Sequence, residues 1–159
     1  MEMEFDVQIT KKDLYDYQLH HAYTSPSGLF GTIVGCLFLV GFFNTGTPLY
    51  LLIGAFIILY FPWTLHIKAA SQAQAPIFKR PLHYKLSEEG LEISAEEEKQ
   101  LVPWDDITKA SSTGKTILLY TSKINAFLFP KRELGERKGE FVQVISRYVA
   151  PDRVKIKAV

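Results

Sequence analysis

The stretch LFGTIVGCLFLVGFFNTGTPLYLLIGAFIILYFPWTL, at residues 29–65, decides the fold. It contains two apolar runs, residues 29–43 with 11 of 15 apolar positions and residues 49–65 with 14 of 17, and an uncharged loop between them. Neither run carries a polar stripe at helical spacing, so each would form a helix that is apolar on every side. Such helices belong in lipid or deep inside a large core. A chain of 159 residues offers no core of that size.

The distribution of charge indicates the same environment. Residues 17–67 contain no Asp, Glu, Lys or Arg, although the chain has 35 such residues in total. Each element of a soluble domain needs a hydrated face, so its charges are normally spread along the chain. The formal net charge is +1, so no global excess of either sign points to nucleic acid. We therefore expect the lipid bilayer, and no nucleic acid, among the partners.

The two runs predict a transmembrane helical hairpin over residues 24–67. At about 1.5 Å per residue, the runs alone span roughly 22 and 25 Å. The hydrocarbon core is about 30 Å thick, so we expect the spans to extend to about residues 26–43 and 49–66. Tyr50, Tyr60 and Trp63 stand near the span ends, where aromatic residues favour the headgroup level.

The basic residues near the spans predict the orientation. The connecting loop has no Lys or Arg, whereas both outer flanks have several. The positive-inside rule therefore places both termini in the cytoplasm. The first 28 residues carry five acidic residues and no apolar segment, so we expect no cleaved signal peptide.

Residues 1–23 and 68–80 show patterns of regular structure on either side of the hairpin. Phe5, Val7 and Ile9 alternate with polar residues, which predicts a half-buried strand, and a helix should follow from Lys11 to about Tyr23. After the hairpin, residues 68–80 predict a cytoplasmic linker helix that ends at prolines.

Residues 81–150 read as six short antiparallel strands followed by an amphipathic helix. This predicts a small barrel or orthogonal sandwich capped by the C-terminal helix, and residues 151–159 would form a tail. Seventy residues are marginal for an independent core, so we expect the N-terminal strand to join this sheet as a seventh member. The fold class is thus an α+β membrane protein, with the hairpin inserted after the first strand and helix.

Three segments resemble a known family: PLHYKLSEEGLEIS at residues 81–94, VPWDDITKA at residues 102–110 and AFLFPKREL at residues 126–134. Together they are similar to the YcxB-like family of small bacterial membrane proteins, whose soluble part is similar to pleckstrin-homology-like domains. The resemblance implies that Trp104 and Pro130 are signatures of the fold and that the chain resides in the bacterial cytoplasmic (inner) membrane. It implies no activity.

No pattern in the sequence predicts an enzyme, a cofactor or a metal site. The segment SSTGKT at residues 111–116 lacks the first glycine of a phosphate-binding loop, because Lys109 stands there, and a strand follows it. It therefore predicts a hairpin turn. Asp105 and Asp106 have no further ligand at metal-binding spacing, so we interpret them as capping groups of a turn.

The histidines leave two interpretations open. His20 and His21 precede the first span and His66 follows the second, so a hairpin brings all three to one membrane surface. They would form a metal or proton-linked site there, or they are ordinary interfacial histidines without a shared ligand.

Six basic residues are candidates for contact with anionic lipid or a partner. Each basic residue near an anionic leaflet gains about 1 kcal/mol. The alternative is that these residues only set topology and solvate the surface. They are Lys79, Arg80, Lys131, Arg132, Arg137 and Lys138.

The sequence therefore predicts a non-catalytic, membrane-anchored interaction or scaffold protein that presents a cytoplasmic pleckstrin-homology-like domain to a protein or lipid partner. The partner is unknown, and self-association through the glycine faces of the helices is one option. The spacing of Gly31 and Gly35 is that of a small-x-x-x-small pattern, which would let the two helices of the hairpin approach closely. The alternative function is a membrane-embedded transporter subunit or an immunity protein against a membrane-active toxin.

Overall fold

The computed structural model describes residues 2–95 and 98–156, with the backbone alone at Ser27 and Glu98. The fold is mixed α and β. The principal elements in chain order are β1 (Met3–Val7), α1 (Lys11–Thr24), α2 (Pro26–Thr45), α3 (Pro48–Gln72), β2 (Leu82–Leu86), β3 (Gly90–Ala95), β4 (Glu98–Pro103), β5 (Lys109–Ser112), β6 (Thr116–Tyr120), β7 (Ala126–Pro130), α4 (Lys131–Leu134), α5 (Lys138–Tyr148) and β8 (Val154–Lys155). Single 3-10 turns occupy Pro76–Phe78, Trp104–Asp106, Gly135–Arg137 and Pro151–Arg153.

Helices α2 and α3 are the two apolar runs of the sequence. Ser25 caps α2 by accepting a hydrogen bond from the Gly28 amide at 3.3 Å, and Pro26 takes the first helical position. Gly46, with a φ of 69°, ends α2 in the left-handed conformation that glycine tolerates best. With 20 and 25 residues, the helices are roughly 30 and 37 Å long. Both are long and apolar enough to cross a bilayer.

The apolar side chains of these helices face outward. Only 11% of the candidate span in α2, and 6% of that in α3, is buried within the protein. Phe30 is 70% exposed, Phe43 81%, Leu52 67% and Trp63 69%. Soluble proteins rarely leave a continuous apolar surface of this extent uncovered. The hairpin is therefore not the buried core of the sheet domain.

Two glycines allow α2 and α3 to pack closely. A Cβ atom at Gly54 would lie 2.9 Å from the Gly35 carbonyl oxygen, and one at Gly35 would lie 2.7 Å from the Ile58 side chain. Gly31, one turn earlier in α2, has no atom within 4 Å of such a position. The expected close approach of the helices therefore uses Gly35 with Gly54, and Gly31 takes no part in it.

Eight strands form two four-stranded sheets. Sheet A has the order β1-β2-β3-β4 and is antiparallel throughout. The N-terminal strand takes its place in it, with Met3 opposite Leu86 and Val7 opposite Leu82. Sheet B has the order β7-β6-β5-β8, in which β8 runs parallel to β5. The hairpin is thus inserted between two neighbouring strands of one sheet.

Aromatic side chains fill the core of the sheet domain. The rings of Tyr84 and Phe129 lie 4.8 Å apart, and those of Phe129 and Phe141 are also 4.8 Å apart. Phe5 packs edge-on against both phenylalanines. Burial raises the pKa of the Tyr84 hydroxyl far above its usual value. β1, β2, β7 and α5 therefore share one core, with α5 packed against it through its apolar face.

The sequence predicts a small barrel or an orthogonal sandwich, and the two sheets do not form a closed barrel. β4 ends at Pro103, and the turn Trp104–Asp106 carries the chain to the second sheet, so β4 and β5 do not pair. On the other side, β7 ends at Pro130 and the chain enters α4. β5 pairs with β6 on one edge and with β8 on the other, so neither edge of β5 is open to β4. The sheets remain separate.

The separate linker helix expected over residues 68–80 is also wrong. α3 continues to Gln72, because Ala69 is fully buried in the core cluster and holds the helix against the domain. Only a 3-10 turn follows at Pro76–Phe78. The expected tail, residues 151–159, contributes β8, and its last three residues lie outside the described part of the chain.

The contact between Gly35 and Gly54 predicts the effect of two matched substitutions. Gly54→Ala places a methyl group against the α2 backbone and should lower the free energy of unfolding by about 1–3 kcal/mol. Gly31→Ala fills open space and should leave stability unchanged or slightly raised. Thermal unfolding of both variants in the same detergent measures the difference, and equal melting temperatures would contradict the packing.

Candidate functional site

Helix α1 joins the apolar hairpin to the sheet domain. On one side it packs against α3: the Tyr15 ring lies 5.4 Å from His66 and the Tyr23 ring 6.2 Å from Phe61, both edge to face. Tyr15 lies near the start of α1 and contacts the later part of α3, whereas Tyr23 lies near the end of α1 and contacts the middle of α3. The two helices therefore run antiparallel. We call the region around α1, between α3 and sheet B, the junction.

On its other side, α1 packs against sheet B. The Tyr17 hydroxyl donates to the carbonyl of Ile124 in the β6–β7 turn at 2.5 Å, and its ring lies 6.3 Å from that of Tyr120. Thr113, in the β5–β6 turn, donates to the Asp16 carboxylate at 2.6 Å. The turns at the two opposite ends of β6 are therefore both hydrogen-bonded to α1.

An ion pair fixes the start of α1. The Arg132 guanidinium donates to both carboxylate oxygens of Asp13, at 2.5 and 2.8 Å, and also to the carbonyl of Gln8 at 2.9 Å. Asp13 is 3% exposed and accepts from the Thr10 amide at 2.7 Å and from the Thr10 hydroxyl at 2.6 Å. The Thr-x-x-Asp pattern therefore works as a helix cap, and Arg132 neutralises its buried carboxylate.

Two opposing effects set the pKa of Asp13. Burial alone would raise the pKa of this carboxyl, but hydrogen bonds from Arg132 and Thr10 together hold it below its usual value. The native state therefore favours the charged carboxylate. Asp13 contributes stability above its unfolded-state pKa of about 4, and that contribution is lost as the pH falls through the lower native value.

A groove lies between α1 and the β5–β6 turn. Its volume is about 620 Å³, and its polar lining includes Asp16, His20, Thr113 and Lys131. The Lys131 ammonium donates to the Thr113 carbonyl at 2.9 Å. We call this the polar groove. The turn beneath it is the SSTGKT segment, which joins antiparallel strands and is therefore a hairpin turn, as predicted, rather than a phosphate-binding loop.

A second groove lies between the α1–α2 boundary and the β6–β7 turn. Its volume is about 750 Å³. We call this the basic groove, since Lys109 and Lys123 line it and no carboxylate does. The residues that line it are His21, Thr24, Ser25, Pro26, Thr108, Lys109, Tyr120, Ser122, Lys123 and Ile124. Sequence reasoning missed this groove, because its two lysines stand 14 positions apart in separate strand and turn segments.

The six predicted basic residues do not act alike. Lys131 and Arg132 have partners at the junction, and Arg137 donates to the Glu4 carbonyl at 3.0 Å and pairs with Glu140 at 3.5 Å. Lys79 and Arg80 are exposed just after the Pro76–Phe78 turn, while Lys138 begins α5. Contact of these residues with lipid or a partner stays a prediction. The structure assigns Arg132 a clear role inside the protein.

The two signature residues occupy structural positions. Trp104 is 7% exposed, stacks on Tyr148 at 5.4 Å and donates from its indole nitrogen to the Ser87 carbonyl at 2.9 Å. It therefore anchors the β4–β5 turn on α5 and the β2–β3 turn. Pro130 is buried at the end of β7, directly before α4.

The histidines lie near one another but contact different groups. His66 packs on Tyr15, His21 stacks on Tyr17 at 6.0 Å, and His20 lines the polar groove. Within residues 2–95 and 98–156, no three side chains of His, Cys, Asp or Glu are grouped to hold a metal ion.

Comparison with known proteins identifies one family. A family model described as YcxB-like protein matches residues 86–145, from the end of β2 into α5. This confirms the resemblance to the YcxB-like family over that segment, which contains β3 to β7 and the Trp104 and Pro130 signatures. The hairpin lies outside it. No curated protein and no solved structure matches the chain significantly.

Removing Arg132 should leave a buried, unpaired carboxylate at Asp13. We expect Arg132→Ala to lower the free energy of unfolding at pH 7 by about 1–3 kcal/mol, allowing for solvent screening at the half-exposed arginine. Arg137→Ala is the matched control, because Arg137 is also half exposed and pairs only with exposed or backbone groups. Its loss should cost under about 1 kcal/mol.

The pH dependence of the same variant tests the electrostatic cause. Arg132 helps to hold the pKa of Asp13 below its usual value, so the variant carboxyl becomes protonated at a higher pH than the wild-type one and then no longer needs a cation. The difference in melting temperature between the wild type and Arg132→Ala should therefore narrow as the pH falls from 7 to 3. A constant difference over this range would show that Arg132 stabilises the protein by packing alone.

Proposed function

We propose that this chain is a non-catalytic, membrane-anchored interaction protein. Its hairpin crosses the bacterial cytoplasmic membrane with both termini in the cytoplasm, and its two-sheet domain, a pleckstrin-homology-like module, docks a protein partner. The edge of strand β4 is the docking surface.

The distribution of apolar and charged surface supports the membrane location. α2 and α3 expose large apolar side chains along their lengths, and the loop that connects them carries no charge. Lys68 is the first charged residue after the spans, and it stands where α3 begins to pack on the domain, next to buried Ala69. Lipid covers the uncharged part, and the basic flanks keep both ends cytoplasmic.

The observation that carries the docking proposal is the open edge of β4. Within the described residues, β4 pairs only with β3. Its side chains Lys99, Gln100 and Leu101 are all exposed, and Leu101 leaves 46% of its surface uncovered. An exposed strand edge offers unpaired backbone donors and acceptors to an added strand, and a nearby apolar side chain adds selectivity.

A second function has one observation in its favour. A crevice of about 190 Å³ lies between α2 and α3, lined by Gly31, Thr32 and several apolar residues of α3. Another helix packing there would make the chain a membrane-embedded subunit or an immunity protein against a membrane-active toxin. The spans contain no charged residue to line an ion path, so a monomeric transporter is disfavoured.

Site-specific crosslinking distinguishes the two functions. A photoreactive amino acid replaces Leu101 on β4, or Leu37, which is 63% exposed on α2, in the full-length protein. Docking through the sheet predicts a crosslinked partner from position 101. Crosslinks from position 37 alone would support the membrane-embedded function instead.

A charge substitution checks the same surface. With the photoreactive amino acid moved to the neighbouring exposed Gln100 of β4, Leu101→Lys should lower recovery of the crosslinked partner at least fivefold, because a lysine on an edge strand opposes strand addition. Leu101 is exposed, so the melting temperature should not change. Unchanged recovery from a normally folded variant would reject the β4 edge as the docking surface.

A further inference from the structure

We propose that the basic groove binds the headgroup of an anionic phospholipid of the surrounding leaflet. The groove is the surface, defined above, between the start of α2 and the β6–β7 turn. The inference rests on the proposed membrane location and is independent of the β4 edge.

The groove lies where α2 enters its apolar segment. Ser25 and Pro26, which cap and begin α2, form part of its lining, and the apolar run starts three residues later at Leu29. With α2 across the bilayer, these residues lie at the boundary between headgroups and hydrocarbon. The ligand that reaches this level in greatest number is a membrane lipid.

The charge of the groove matches a lipid phosphate. Lys109 and Lys123 line it, and no acidic side chain does. Neither lysine forms an ion pair with any residue in the described ranges 2–95 and 98–156. The polar groove on the opposite side of α1 differs, since Asp16 lines it and Lys131 is bound to the Thr113 carbonyl.

The base of the groove holds one of these lysines in position. The Lys109 ammonium lies 5.4 Å from the centre of the Tyr120 ring, within cation–π range. The Tyr120 phenol is neutral, because burial and the neighbouring Tyr17 raise its pKa to about 12. The Tyr120 ring therefore contacts the Lys109 ammonium without neutralising it.

The β6–β7 turn adds an apolar contact beside the second lysine. Ile124 is 68% exposed and directly follows Lys123. The turn is held in place, because the Tyr17 hydroxyl bonds to the Ile124 carbonyl and the Thr121 amide donates to the Asn125 carbonyl at 3.1 Å. An exposed isoleucine next to an unpaired lysine suits the lipid interface, where the isoleucine contacts acyl chains and the lysine contacts phosphate.

The exposed Ile124 and the position of the groove beside α2 favour an intact phospholipid over a free anion. A soluble phosphate compound would use the lysines but gain nothing from Ile124 or from the position of the groove beside α2. A diacyl lipid with a net negative headgroup contacts the lysines through its phosphate and Ile124 through its acyl chains, and it lies at the level of the groove. With a volume of about 750 Å³, the groove is within the usual range of small-molecule sites.

Native mass spectrometry of the full-length protein tests the proposal. The protein is purified in a neutral detergent with equal amounts of phosphatidylglycerol and phosphatidylcholine, and the ratio of the two retained lipids is measured. The wild type should retain phosphatidylglycerol in excess. Lys109→Gln with Lys123→Gln should reduce this ratio on the order of tenfold, since two cations near the phosphate are lost.

A double variant outside the groove is the matched control. Lys115→Gln with Lys155→Gln removes the same charge from the β5–β6 turn and β8, and it should leave the lipid ratio within about twofold of wild type, because neither residue lines the groove. An equal fall in both double variants would mean that net charge alone attracts the lipid and would overturn the site.

A second groove variant and a competition measurement with a soluble anion complete the test. If the groove variant melts at a lower temperature, Lys123→Gln with Ile124→Asn replaces it, because both side chains lie on an exposed turn. Soluble glycerol phosphate at millimolar concentration should not displace the lipid, and full displacement would identify a free-anion site instead. An unchanged lipid ratio with intact crosslinking from position 101 would reject the lipid site but leave the docking function standing.

Discussion

The structure depends on one uncharged segment whose apolar side chains stay outside the core of the sheet domain. Residues 17–67 carry no formal charge, and the helices they form cover too little of each other to hide their apolar side chains. A helix satisfies its own backbone hydrogen bonds, so a pair of helices can reside in hydrocarbon at no backbone cost. The charged remainder must stay hydrated. The chain therefore divides into an uncharged hairpin with an exposed apolar surface and a charged sheet domain.

The hairpin is tied to the sheet domain by contacts between distant residues. β1 precedes the hairpin and β2 follows it, yet they are neighbours in sheet A. This pairing brings the two ends of the hairpin together. Arg132 then binds Asp13 at the start of α1, across 119 positions of sequence. Since α1 also contacts α3 and both turns of sheet B, the position of the domain relative to the hairpin follows from these contacts. The basic groove exists because α1 holds the β6–β7 turn beside the start of α2.

Local patterns predict most of the elements. Alternating apolar residues identify β1 and β2, short apolar segments between turn signals identify β3 to β7, and the spacing of Phe141, Val144 and Ile145 identifies α5. Closure of the barrel is not a local property, because it depends on β8 occupying the edge of β5. Helical propensity after the second span is visible in the sequence, but the continuity of this segment with α3 is not. β8 has only two residues and pairs with β5 across more than 40 positions, so no periodicity reveals it.

The candidate sites were less predictable than the fold, because each combines residues that are distant in sequence. The clusters of basic residues are visible in the sequence. Within them, however, Arg132 binds the buried Asp13 carboxylate, and Lys131 donates to the Thr113 carbonyl in the β5–β6 turn. Lys109 and Lys123 stand alone in the sequence, and the pairing of β5 with β6 places them at the same end of sheet B, where α1 and the start of α2 complete the groove. Native Cys36, the only cysteine, lies on α2 within the proposed span. Its reaction with a membrane-impermeant maleimide is the most direct test of the central claim. The account predicts no labelling of Cys36 in native membranes and full labelling after denaturation in detergent, whereas rapid labelling of the folded protein in detergent-free buffer would contradict it.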